Sequence, residues 1–136
     1  MIEAQNLNTK PKIKILIVED EALIAKDIRQ KLLELEHEVV GIVDNGDDAI
    51  IMARETKPHI ILMDIVIKGP FNGIETARKI KENQKVAIIY LTAYDSPSVS
   101  ADADETNPRG YLLKPFDDSK LQDVVLELQI EKAFDE

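Results

Sequence analysis

From Ile13 onwards, short aliphatic runs alternate with stretches whose apolar residues recur at helical spacing. Ile13–Val18 is an aliphatic run, broken only by Lys14, followed at once by acids, and Ala22–Leu35 then carries Leu23, Ile24, Ile28, Leu32 and Leu35 at helical intervals. Val39–Val43 is β-branched apart from Gly41, and Asp47–Thr56 again has the helical period. That helix must close before Lys57-Pro58, because proline disfavours helical geometry in the residue ahead of it. Ile60–Met63, Val86–Leu91 and Tyr111–Leu113 are further short apolar runs. Ile74–Glu82 and Leu121–Phe134 are helices, the first apolar at Ile74, Ala77 and Ile80, the second at Leu121, Val124, Val125, Leu128 and Ala133. The segment from Asp95 to Pro108 is weakest: Ser96 could cap a helix with Pro97 at its first position. Only Val99, Ala101 and Ala103 are apolar beyond that, so a short or poorly anchored fourth helix is expected.

Strands that stay apolar without alternation are buried on both faces, as in a parallel sheet covered by helices. The pattern therefore predicts an α/β fold, a doubly wound (βα)5 sandwich with a five-stranded parallel sheet in the flavodoxin-like order 2-1-3-4-5. Residues 1–12 are expected to form a flexible tail and 13–134 one domain, with too few residues after Phe116 for a second.

Composition narrows the function more than the fold. The chain of 136 residues has no cysteine, which excludes disulfides, thiolate metal sites and cysteine nucleophiles. Its net charge of −9, with no run of Lys and Arg, argues against direct binding of nucleic acid. Asp64 interrupts the longest apolar run, and Met1–Lys14 lacks an apolar signal segment, so no membrane association and a cytoplasmic location are expected.

Candidate chemistry gathers where these strands end. In an open parallel sheet, ligands bind outside the carboxyl ends of the strands. There the first strand runs into Glu19-Asp20, the third ends at Asp64, the fourth at Thr92, and the fifth leads into Lys114-Pro115. Each residue alone is more often a helix cap or a solvated loop charge; their joint placement at one edge is the signal. Three carboxylates against one ammonium leave two uncompensated negative charges, which would repel a phosphate donor. A divalent ion removes that excess, and an all-oxygen ligand set selects a hard cation, Mg²⁺ being the usual one with phosphates.

Glu19-Asp20, Asp64, Thr92-Ala93 and Lys114-Pro115-Phe116, in that order on five strands, resemble the receiver domain of two-component response regulators. The resemblance spans Ile13 to Phe134 and implies that Asp64 takes a phosphoryl group from a sensor histidine kinase or a small phosphodonor. It further implies that Glu19, Asp20, Asp64 and the Val66 backbone carbonyl hold Mg²⁺, and that Lys114 pairs with the phosphoryl oxygens. Thr92 would draw its loop inward, and Tyr111 would turn from solvent into the interior. The surface of the fourth helix, fifth strand and fifth helix would thereby change for a downstream effector or output domain, with a homodimer as a further option. Such a module is no enzyme beyond catalysing its own phosphorylation and dephosphorylation. A cis Lys114-Pro115 bond is part of the same resemblance.

Two departures stand out, one of them Glu19 where the family commonly carries aspartate, a longer arm suited to holding the metal through water. The loop from Ile65 to Asn72 is one residue longer, up to Gly73, than in the commonest family members, and it carries Lys68-Gly69-Pro70. The residues two beyond the acceptor and two beyond the threonine are Val66 and Tyr94, neither of which orients an attacking water, so slow autodephosphorylation is expected. A metal-dependent phosphatase is the rival reading, but such enzymes carry a second aspartate where Val66 stands. An inactive relative used for docking would show a damaged pocket, whereas every side-chain type is present. His37 and His59 flank strand starts, away from the acids, and are read as structural or solvent-exposed.

Overall fold

The computed structural model describes residues 12–93 and 97–135. Its elements are β1 (Lys14–Val18), α1 (Ala22–Glu34), β2 (Glu38–Val43), α2 (Gly46–Thr56), β3 (Ile60–Asp64), α3 (Gly73–Asn83), β4 (Ala87–Thr92), α4 (Pro97–Asp104), β5 (Gly110–Leu113) and α5 (Asp118–Asp135). All four strand pairings are parallel, and the order is β2-β1-β3-β4-β5, as the hydrophobic pattern predicts. The expected tail falls almost entirely outside the described residues, as does Ser96.

Alternate residues of the strands supply two separate cores. Ile15, Ile17, Ile60, Leu62, Ile89 and Leu91 face one way, onto Ile28 and Leu32 of α1 and Leu121, Val125 and Leu128 of α5. Leu16, Val18, Ile61, Met63, Ile88 and Tyr90 face the other, onto Ala49 and Ala53 of α2 and Ile74, Ala77 and Ile80 of α3. The two-residue side-chain period of a strand makes this division unavoidable once both faces are covered.

The helices are cut by local chemistry. Asn45 caps α2 by accepting from the Asp48 amide, and Asn72 with Glu75 forms a reciprocal capping box on α3. α1 has no such side-chain cap, and its buried stripe is Ala25, Ile28 and Leu32. Leu23, placed on the apolar face by periodicity, instead projects on the opposite side with 83% of its surface exposed. Two residues along a helix turn the side chain by about 200°, so Ala25 and Leu23 cannot share a face.

α4 is eight residues long. Within it Ala103 is fully buried and Val99 only partly, so it is the short helix that the scarcity of apolar residues predicts. No described helix is long and apolar enough to cross a membrane.

Candidate functional site

The carboxyl ends of β1, β3 and β5 bring three of the expected residues into direct contact. The Lys114 ammonium lies 2.5 Å from Glu19 Oε1 and 2.7 Å from Asp64 Oδ2. These residues are 95 and 50 positions apart from Lys114 in sequence, so only the sheet order makes the contact. All three side chains are withdrawn from water, Glu19 completely so. The second oxygen of each acid is also engaged: Glu19 Oε2 accepts from the Glu21 amide at 3.1 Å, and Asp64 Oδ1 accepts from the Val66 amide at 3.1 Å.

Charge in this cluster is not balanced. Burial pushes the Glu19 carboxyl up to about 7; the bond from Lys114 opposes that rise, and the neighbouring Asp64 adds to it. Burial works against the Lys114 ammonium, yet its bonds to Asp64 and Glu19 outweigh that and hold its pKa above the ordinary lysine value. A carboxyl that holds its proton up to neutrality beside an ammonium is short of positive charge.

Glu19, Asp20 and Glu21 present carboxylate oxygens all within 4.8 Å of one another, with Asp20 half-buried and Glu21 exposed. This donor set suits a hard divalent cation, which would supply the missing charge. The grouping differs in part from the expected ligands. Glu21 joins the acids, and Asp64 shares the Lys114 ammonium with Glu19 of that trio. Val66, whose carbonyl is an expected ligand, is 64% exposed just beyond Asp64.

Thr92 ends β4, half-buried, and its carbonyl accepts from the Lys114 amide at 2.7 Å. The backbone therefore ties the threonine to the lysine. The Lys114-Pro115 bond is cis. Tyr111 is 41% exposed; its hydroxyl donates to Asp104 and its ring stacks on Tyr90 with centroids 5.9 Å apart. Burial raises the Tyr111 pKa, and the bond to Asp104 adds to the effect. Tyr90 is itself fixed by a 2.7 Å buried bond to Thr106. Between Thr92 and Tyr111 lies a hollow of about 350 Å³, walled by Ile65, Val99, Ser100 and Leu113. Tyr94 lies outside the described residues.

Two supports of the site are not visible in the sequence. A Cβ on Gly73 would stand 2.0 Å from the Asp64 carbonyl oxygen and 2.9 Å from Ile65 Cα. Only glycine lets the start of α3 approach Asp64 this closely, and the Gly73 amide uses that approach to donate to the Ile65 carbonyl at 2.7 Å. The lengthened loop is also anchored. Lys68 forms a bridge with Asn45, its amide donates to the Asp44 carbonyl at 3.2 Å, and its ammonium pairs with Asp44 at 3.4 Å. Gly69 follows at φ 92°, the left-handed turn that glycine takes without strain. Of the two histidines, His59 accepts at Nδ1 from the Lys14 amide at 2.9 Å, and His37 is buried just ahead of β2.

Comparison with known proteins agrees with this geometry. Residues 15–126 match the model of the response regulator receiver domain. The chain is 37% identical over 116 residues to the sensory transduction protein LytT of Oceanobacillus iheyensis, covering 82% of this chain and 46% of that protein. It is 34% identical over 108 residues to the transcriptional regulatory protein PdtaR of Mycobacterium tuberculosis, covering 79% and 52%. The chain thus spans about half the length of these two relatives. Among solved structures, it superposes on the signal receiver domain of a modulated diguanylate cyclase from Desulfovibrio desulfuricans G20 with a TM-score of 0.84, at 32% identity, covering 93% of this chain and 100% of that one.

Proposed function

The chain belongs to the response regulator receiver domain family, and from that membership we propose that Asp64 accepts a phosphoryl group from a sensor histidine kinase in a Mg²⁺-dependent reaction. The signal is then read on the surface of α4, β5 and α5. The observation that carries this reading is the Lys114 ammonium held between two buried carboxylates, one of which terminates β3.

In the reaction an Asp64 carboxylate oxygen attacks the phosphorus of a phosphohistidine. An O–P bond forms and the imidazole N–P bond breaks, its electron pair remaining on the ring nitrogen. Lys114 already touches the attacking carboxylate and can exchange that contact for a phosphoryl oxygen. The Val66 amide holds the other Asp64 oxygen and orients the group. A bound Mg²⁺, held by Glu19, Asp20, Asp64 and the Val66 carbonyl, would neutralise the phosphoryl charge.

Two features support a switch at the far side. The Lys114 amide is bonded to the Thr92 carbonyl, so a shift of either residue pulls on the other. The hollow between Thr92 and Tyr111 offers the ring a place to turn into when Thr92 moves toward the phosphoryl group. Phosphorylation then changes the balance between two packings of α4 and β5. The aspartyl phosphate is long-lived in this reading, because Val66 and Tyr94 orient no water; Val66→Asn with Tyr94→Glu is expected to shorten its lifetime.

The direct test is incubation with a small phosphodonor and Mg²⁺, followed by intact mass. One added phosphoryl group is expected, and none in Asp64→Asn. Undiminished labelling of Asp64→Asn would overturn the assignment.

A further inference from the structure

The opposite end of the same sheet carries a second concentration of charge, of the other sign. A cleft of about 870 Å³ opens beneath the starts of β3, β4 and β5. Its lining includes Lys57, Lys81, Lys85, Arg109 and Lys132, against Glu131 as the one acid. In a chain of net charge −9 this is a marked local excess of positive charge. A cleft lined by one sign of charge focuses its field and draws in the opposite ion.

Several of these cations are committed, which identifies the available ones. Arg109 is forked onto the two Glu131 oxygens. Lys81 donates to the carbonyls of Thr106 at 2.6 Å and Asn107 at 3.1 Å, and burial followed by repulsion from Arg109 lowers its pKa. Lys57 and Lys85 are exposed and form no ion pair with another described residue. They stand just ahead of β3 and β4, which are hydrogen-bonded neighbours, so both reach the same mouth. Lys57 also occupies the left-handed region at φ 47° at the end of α2, where glycine or asparagine is the low-cost residue. Between the cations the lining is aliphatic, with half-buried Ala87 flanked by the edges of Val86 and Leu128.

We infer that this cleft binds a small organic phosphate, its apolar body on Val86, Ala87 and Leu128 and its phosphate groups against Lys57 and Lys85. The volume falls within the ~300–1,000 Å³ that small-molecule sites occupy. An apolar floor with cations at its rim takes a ligand that is itself two-ended, rather than a bare anion. The site lies about 13 Å along β3 from Asp64, too far for one bound molecule to share both sets of charges.

The test is amide NMR of the full chain in chelator, so that no metal draws phosphates to the acidic end, with adenosine diphosphate as the probe. Saturable shifts are expected at Lys57, His59, Ile60 and Lys85–Ala87, and none at Asp64 or Thr92. Lys57→Glu with Lys85→Glu should weaken binding about tenfold or more, while Lys120→Glu should leave it unchanged. If that double reversal fails to fold, Lys57→Gln with Lys85→Gln is to be used, with a smaller loss expected. Pyrophosphate should bind more weakly than adenosine diphosphate. The inference is overturned by absence of saturable shifts in the cleft, by undiminished binding in the double variant, by pyrophosphate binding as tightly, or by hexaglutamate displacing the nucleotide at lower concentration.

Discussion

The half of the molecule around β1, β3 and the start of α3 is built without slack, whereas the half around α4 and β5 is built loosely. In the first, β3 is buried along its whole length, Gly73 touches the Asp64 backbone, and both oxygens of Asp64 and Glu19 are hydrogen-bonded. In the second, an eight-residue helix rests on few side chains, Tyr111 and Leu113 are exposed, and a hollow separates Thr92 from Tyr111. The contrast follows from what each half is proposed to do. Phosphoryl transfer needs reacting groups held in place beforehand. A switch needs two arrangements close in free energy, so that one added group decides between them.

Several experiments would break or sharpen that contrast. Asp64→Asn should have the largest effect, abolishing phosphoryl labelling while thermal unfolding stays near wild type. Gly73→Ala comes next, because its methyl group has nowhere to go; a loss of about 2–4 kcal/mol in denaturant unfolding is expected. Equal tolerance of alanine there would contradict the tight half. Millimolar Mg²⁺ should raise the melting temperature of the wild type, by the stabilisation of about 1–3 kcal/mol that a ligand well above its dissociation constant confers. Asp20→Asn should remove most of that gain, read by calorimetry with and without chelator. Val99→Ala, in the loose half, should cost about 1 kcal/mol or less, since Val99 is only partly buried. A larger cost would mean that α4 is anchored as firmly as the acceptor side.

Much of this was legible before any coordinates. The sheet order could be anticipated because five aliphatic runs without alternation admit little besides a covered parallel sheet, and the meeting of Glu19, Asp64 and Lys114 because all three fall at strand ends. Bounds were least legible where a cap or a close approach sets them: α5 begins three residues before Leu121, and Gly73 looked like the end of a loop rather than a contact with Asp64. The Lys68–Asp44 anchor joins residues 24 apart and has no local signal. The basic cleft escaped for the same reason. Its lysines and arginine are scattered from position 57 to 132, and only the return of three strands to one edge assembles them.

The division of the interior into two cores has a consequence for how the sequence can change over generations. The sheet stands between Ile28 on one face and Ile80 on the other, so neither side chain can relax into space left by its counterpart. Ile28→Val and Ile80→Val should therefore combine additively, to within about 0.5 kcal/mol, whereas paired changes inside one layer should not. One helical layer can be rewritten by successive substitutions while the other stays as it was. The strands alone must satisfy both layers, and they should be the slowest part of the chain to diverge.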